Sequence, residues 1–347
     1  MTDPTTAQRI EVPAVIALPT HPDVVTWRRA TVDDVDAVTE LFRAADRVDH
    51  PSWVTPREDI EEIFESSWID PARDTVVGFD ADGRAVAAGS VTVHPAREQH
   101  LHAYLGGRVH PDLRGHGIGR ELMRWEHERA LEALAELDSP LPAAVFVYAD
   151  EPDIAARHLA ERRGLREERW FSTMVRDLAL EIPEIAIADD ESGDAPQLEI
   201  VAYDASRTEQ ARLARNDAFR DHWGSLETPP ERWSHFVDGP FLRPDLSWLA
   251  VEGDRIVAFA LGSVNEEDWA VQGYSSVYID LIGVTRDRRG RRLAPAVITA
   301  LLRAARDAGL EKAVLDVDTE SPTGANSLYG RLGFEPTERS VALVSHI

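Results

Sequence analysis

The chain has 347 residues, 43% of them hydrophobic and 29% charged, with a formal net charge of −25. That content suffices for two ordinary cores, while no run approaches the roughly eighteen continuous apolar residues of a membrane span. So negative a chain repels nucleic acid and anionic membranes, and the absence of cysteine excludes disulfides, thiolate nucleophiles and Cys-based metal sites.

Residues 1–22 show no basic start followed by an apolar stretch, so no secretory signal is expected and a cytoplasmic location is the default. An apolar strand over residues 25–28 opens a first series of elements. A helix pair, a hairpin turning at Asp82-Gly83 and a central strand ending at Val109 follow, then the loop Arg114-Gly115-His116-Gly117-Ile118-Gly119. This loop opens a helix with Ile118, Leu122 and Trp125 on one face; a strand over 144–148, a short helix and a last strand close the series. Residues 177–206 contain no basic side chain, and 188–196 read as an acidic linker.

The same order then repeats. A strand over 198–201, a helix pair, a hairpin at Glu252-Gly253-Asp254 and a central strand ending at Val284 lead into Arg289-Gly290-Arg291-Arg292-Leu293-Ala294. The helix that follows carries Leu293, Val297, Leu301 and Ala304 at helical spacing, with Gly309 placed to stop it, and a buried strand covers 313–317. Arg114 and Arg289 stand 175 residues apart. A repeat this long predicts two domains rather than a solenoid, each α/β with a mixed sheet (α+β): an extension over 1–22, a domain over 23–180, a linker over 181–197 and a domain over 198–347.

Each loop joins a strand to a helix N-terminus through glycine-rich backbone, which lines up unpaired N–H groups at the positive end of a helix dipole and suits a phosphate. Later in each half comes a closing motif, Leu159-Ala160-Glu161-Arg162-Arg163-Gly164-Leu165 and Leu328-Tyr329-Gly330-Arg331-Leu332-Gly333-Phe334. On these motifs each half resembles the GNAT superfamily of acyl-CoA-dependent N-acyltransferases, whose signature is Arg/Gln-x-x-Gly-x-Gly/Ala after a central strand with a later Leu-Tyr-x-x-x-Gly-Phe. The resemblance implies acetyl-CoA as cofactor and a small-molecule amine as acceptor; the charge argues against nucleic acid and membrane as partners, and no clustered histidine and carboxylate spacing argues for a metal. It further implies a central strand that splays from its neighbour to admit the cofactor, which Ile282 helps to bind, with a free backbone N–H near Val109 or Val284 polarising the thioester.

The halves differ. The C-half loop has Arg292 where glycine is usual, and the cluster Arg286, Arg288, Arg289, Arg291 and Arg292 reads either as a phosphate clamp or as a solvated turn. Tyr329 occupies the position of the family's general acid, where the N-half has Ala160; a packed structural tyrosine is the alternative. With a period of two, Tyr278, Asp280 and Val284 are expected on one face, with Ala103 and Leu105 as their N-half counterparts and no ionisable group there. Asp280 is then the candidate base or a structural carboxylate, and Tyr278 stands where the family often has glutamate. The acceptor region implied by the resemblance contains Phe219, His222 and Trp223, with Trp233 and Phe236 nearby; each aromatic is equally readable as core. The C-half is therefore expected to be catalytic, with a non-enzymatic acyl-CoA-binding or sensing protein as the rival.

Overall fold

The computed structural model describes residues 4–50, 52–187, 197–321 and 324–347, so the expected acidic linker over 188–196 and Pro51 lie outside the described residues. In chain order the first elements are α1 (Thr6–Arg9), β1 (Thr26–Arg28), α2 (Val35–Asp49), α3 (Arg57–Glu65), α4 (Pro71–Asp74), β2 (Thr75–Phe79), β3 (Ala85–Val93), β4 (Leu101–Val109), α5 (Ile118–Glu136), β5 (Ala143–Asp150), α6 (Ile154–Arg162) and β6 (Arg166–Asp177). There follow β7 (Leu198–Ala202), α7 (Thr208–Phe219), α8 (Pro230–Asp238), β8 (Trp248–Glu252), β9 (Arg255–Ser263), α9 (Glu266–Gln272), β10 (Ser276–Val284), α10 (Leu293–Asp307), β11 (Lys312–Asp318), α11 (Ala325–Arg331) and β12 (Glu335–His346).

The chain divides into two compact units, residues 1–170 with 340–347 and residues 171–339. The boundaries expected at 180 and 198 follow the repeat, whereas the compact units follow strand pairing. In the first unit β1, β2, β3 and β4 pair antiparallel in sequence, β4 pairs parallel with β5, and the far edge of β5 is taken by residues 340–346 of β12. In the second unit β7, β8, β9 and β10 repeat that order, β10 pairs parallel with β11, and β11 is edged by residues 171–177 of β6. The last strand of each half thus completes the sheet of the other unit.

Helical period decides the faces. Leu293, Val297 and Leu301 of α10 are fully buried in one cluster with Val277, Ile279 and Leu315, and Ile118, Leu122 and Trp125 of α5 are buried in the corresponding place in the first unit. Leu41 of α2 and Ala211 of α7 belong to clusters with α3 and α8 respectively. The extension is part of the first unit. Thr6 N donates to the Ser139 carbonyl at 2.8 Å, Ile10 is buried in the α5 cluster, and Arg124 of α5 donates to the Ala17 carbonyl at 3.1 Å.

One core residue departs from apolar logic. Glu126 of α5 is 2% exposed, and its Oε1 would stand 2.4 Å from a Cβ built on either Gly89 or Gly107, which pair across β3 and β4. Only glycine leaves room there. Burial pushes the Glu126 carboxyl up to about 8, with the Arg108 charge a smaller opposing influence. The folded value lies above the unfolded carboxylate value of about 4.3. The stability due to the protonated form is therefore fully present below about pH 4.3 and is lost as pH rises to about 8. Relative to Glu126→Gln, the natural chain should lose on the order of 4 kcal/mol of stability between pH 5 and 8.5. Thermal melts of both proteins across that range check this; a constant difference would assign no titration to Glu126.

Candidate active site

β10 and β11 run parallel only briefly. Ser276, Val277 and Tyr278 face Lys312, Ala313 and Val314, after which the pairing stops although both strands continue, to Val284 and Asp318. β4 and β5 part in the same way after Tyr104 and Phe146. Beyond these points the central strand has a neighbour on one edge only, and backbone groups directed to the other edge are left without a strand partner.

The loop at the end of each parted strand is built alike. Gly115 and Gly117 have φ of 83° and 103°, and Gly290 and Arg292 have φ of 85° and 62°. Arg292 adopts the left-handed backbone that the glycine signature supplies without a side chain, at a cost of ~1–2 kcal/mol. The first turns of α5 and α10 carry no side-chain cap, and the amides of Gly115, Gly117, Gly290 and Arg292 make no hydrogen bond with described residues. A Cβ built on Gly115 or Gly290 meets nothing within 4 Å, so the cradles are open. The residues that follow are anchors: Ile118 and Leu293 are buried, and a Cβ on Gly119 would lie 3.2 Å from Leu159, whereas Ala294, the second residue of α10, carries one.

The loop arginines are mostly committed to carboxylates. Arg114 pairs with both oxygens of Asp49 at 2.5 and 2.9 Å and donates to the Val109 carbonyl; Arg289 repeats this with Asp221 at 2.9 Å and the Ala218 carbonyl. Arg288 and Arg291 both hold buried Glu252, at 2.8 and 2.6 Å, and Arg286 pairs with Asp221. The basic cluster expected from the sequence is therefore largely neutralised, because an acidic chain supplies partners for it. Arg292, which is exposed, is the one of these five whose side chain makes no hydrogen bond or ion pair with described residues. In the first unit His116 is tied to the start of the domain, its Nδ1 3.1 Å from Asp23 and its carbonyl 2.9 Å from His21 Nε2.

A β-bulge overturns the expected strand faces. Ile279 and Leu281 of β10 face Gly262 and Leu261 of β9, so Asp280 is an extra residue without a cross-strand partner. Ile282 and Val284 consequently pack with Val277 and Ile279 on the α10 side, while Tyr278 stands on the other face with Leu281. β4 has no such shift, and the parallel registers match Tyr278 with Tyr104 rather than with Ala103. The strand of the first unit therefore does carry an ionisable group.

Asp280 Oδ2 is buried without a hydrogen-bond partner. Burial lifts its carboxyl to about 7, partly offset by hydrogen bonds from Ser263. The Tyr278 hydroxyl donates to Asp316 Oδ2 at 2.9 Å; burial first, then the Asp316 and Asp280 charges, hold this phenol above its ordinary value. Tyr329 on α11 is 7% exposed, its ring edge-on to Phe334 at 6.0 Å, and burial raises its hydroxyl to about 12. That hydroxyl makes no hydrogen bond with described residues, and Ala160 of α6, at the matching place, is fully buried.

Of the acceptor-region aromatics, Phe219 stacks on Phe259 at 6.4 Å under the Arg215 guanidinium, and Trp233 is buried with its Nε1 donating to the Thr208 carbonyl. Both are core. Trp223 lies 6.1 Å from Phe171, and His222 is edge-on to Phe219 at 4.6 Å, where burial lowers its pKa. Asp316 and Ser263 escaped the sequence reading; the one available signal was that Tyr278 stands six residues before Val284 while Tyr104 stands five before Val109.

Among the described residues no group of three His, Asp or Glu side chains can hold a metal ion, and no helix is long and apolar enough to cross a membrane. Comparison with known proteins agrees with the geometry. An Acetyltransferase (GNAT) domain model matches residues 25–166 and an Acetyltransferase (GNAT) family model matches 209–334. The mycothiol acetyltransferase of Parafrankia sp. (strain EAN1pec) is 28% identical, with 89% of this chain and 94% of that protein aligned. That of Thermobispora bispora is 30% identical over 65% of this chain and 70% of its own length. A GCN5-related N-acetyltransferase from Sphaerobacter thermophilus superposes with a TM-score of 0.66 at 25% identity, covering 94% of this chain and 97% of that one. A tandem GNAT protein from the clavulanic acid biosynthesis pathway shares the fold with a TM-score of 0.63 at 17% identity, covering 92% and 98%. With both halves matched and the parted strand, loop and helix present in each, the chain belongs to the GNAT family as a tandem-domain, acyl-CoA-dependent N-acetyltransferase.

Proposed function

We propose that the protein transfers an acetyl group from acetyl-CoA to a primary amine of a small molecule, and that the second unit performs the chemistry. The observation that carries this is the difference between two otherwise parallel sites: only the second unit combines the parted strands with a bulged carboxylate, Asp280, and a tyrosine, Tyr329, in the closing helix. The residues present fit coenzyme A. Open amides at Gly290 and Arg292, the uncapped start of α10 and the exposed Arg292 side chain would hold the pyrophosphate, and the free edge of β10 along Ile282 and Val284 would pair with the amide-rich arm. Bound there, acetyl-CoA supplies a thioester open to attack by nitrogen.

In this reading Asp280 takes the proton from the attacking amine as the nitrogen–carbon bond forms. Tyr329 gives its hydroxyl proton to the sulfur as the carbon–sulfur bond breaks, and solvent returns both residues to their starting state. A carboxyl near 7 is suited to the first role at neutral pH. Phe219, His222, Trp223 and Tyr278 border the acceptor side. In the first unit the loop from Arg114 to Gly119 and the edge at Val109 retain the shape for coenzyme A, and Ala160 supplies no acid. The matched mycothiol acetyltransferases support a small-molecule acceptor.

Release of free thiol from acetyl-CoA across a panel of amines tests the reading. Arg292→Asp should raise the Michaelis constant for acetyl-CoA at least ~10-fold, because it exchanges an attractive charge for a repulsive one. Gly117→Asp, in the first unit, should leave turnover intact provided thermal melts show the variant folded. Loss of turnover in folded Gly117→Asp alone would assign catalysis to the first unit instead.

A further inference from the structure

Asp316 lies on β11 two residues beyond Val314, the last residue of that strand paired with β10, and therefore where the two strands have parted. It shares a face with Tyr278, the register partner of Val314. Each carboxylate oxygen accepts one hydrogen bond, Oδ1 from Thr173 Oγ1 at 2.6 Å and Oδ2 from the Tyr278 hydroxyl at 2.9 Å. A carboxylate offers about four lone-pair sites, so roughly two remain for another donor.

The charge of Asp316 is also left over. The acids Asp221, Glu252 and Asp287 at the second loop are ion-paired with Arg286, Arg289, Arg288, Arg291 and Arg255, whereas Asp316 and Asp280 have no ion-pair partner among the described residues. Both act electrostatically on the Tyr278 phenol, so both stand close to it. The first unit lacks this feature. The registers of β4 with β5 and of β10 with β11 match Asp316 with Tyr148, a neutral side chain ring-stacked near Tyr104 at 6.4 Å. An exposed carboxylate with its orientation held by two donors and no cation of its own is a receptor for an ammonium group.

We infer that Asp316, oriented by Tyr278 and Thr173, anchors the ammonium form of the acceptor amine and restricts the second unit to cationic acceptors; this rests on the amine acetyltransferase reading given above. Asp316 is in this role a specificity determinant, and Tyr278 a positioning residue that donates to it and holds it on the acceptor side of β10.

The test uses the full chain with glucosamine, benzylamine and spermidine as probe amines and acetyl-CoA as donor. For whichever amine the natural protein acetylates, Asp316→Asn should raise the amine KM about tenfold or more while kcat changes less, the scale of a lost charge-assisted hydrogen bond. Asparagine can accept from one of the two hydroxyls through its Oδ1 and donate to the oxygen of the other through its Nδ2, so the fold is expected to hold. Calorimetric binding of coenzyme A should be unchanged in the variant, which separates an acceptor defect from a misfolded site. Asp316→Tyr, which installs the residue of the first unit, should match or exceed the loss, and Asp316→Glu should recover part of it. An unchanged amine KM in Asp316→Asn, with the natural protein active, would overturn this inference alone. Failure of the natural protein to acetylate any of the three amines would overturn the inference together with the reading beneath it.

Discussion

Replacing Tyr329 by phenylalanine is expected to lower turnover ~10²-fold, the scale of a lost general acid, with little change in the binding of acetyl-CoA. The geometry makes this substitution informative. The ring is buried in the core of the second unit, edge-on to Phe334 at 6.0 Å, and phenylalanine keeps that packing. The hydroxyl has no hydrogen-bond partner among the described residues, so its removal strands no buried donor or acceptor, and stability should change by less than about 1 kcal/mol. Burial raises the hydroxyl to about 12, so it is protonated at every physiological pH and available as a donor. Steady-state rates and thermal melts of the same preparation separate the two roles. Turnover within a factor of about two of the natural protein would make Tyr329 a packing residue.

Replacing Asp280 by asparagine should produce the second large effect, one that depends on pH. Its carboxyl, lifted to about 7 by burial, is mostly ionised and able to accept a proton above that value. The natural protein should therefore gain rate as pH rises through about 7 and then level off. Without the carboxylate the reaction waits on amine that is already deprotonated, whose fraction grows about tenfold per pH unit below the amine's own pKa. The deficit should thus be ~10²-fold or more near neutrality and shrink toward high pH. Rate profiles from pH 6 to 10 for both proteins measure it. Parallel profiles would leave Asp280 as a structural carboxylate of the bulge, hydrogen-bonded by Ser263.

Much of the fold was legible because it depends on local periodicity and on repetition. The faces of α5 and α10 follow from Ile118, Leu122 and Trp125 and from Leu293, Val297 and Leu301, all of which are buried. The loops were legible for a similar reason, since glycine at 115, 117 and 290 announces left-handed backbone, and the structure has it. Arg292 shows the limit of that logic. The same conformation is imposed on a residue with a side chain, which only the surrounding strand and helix can enforce.

What the sequence determined by itself was therefore the duplicated α/β plan, the helix and strand faces without interruptions, and the two loops. Tertiary structure alone decided the rest. The bulge at Asp280 reverses the facing of Tyr278 relative to Val284, and alternation read along one strand is blind to an inserted residue until its partner strand is known. The loop arginines became internal ion pairs because Asp49, Asp221 and Glu252, distant in sequence, fold against them. The placement of the closing strands also lay beyond the repeat: local pattern does not say which sheet residues 171–177 and 340–346 edge, and only long-range hydrogen bonding with β11 and β5 decides it.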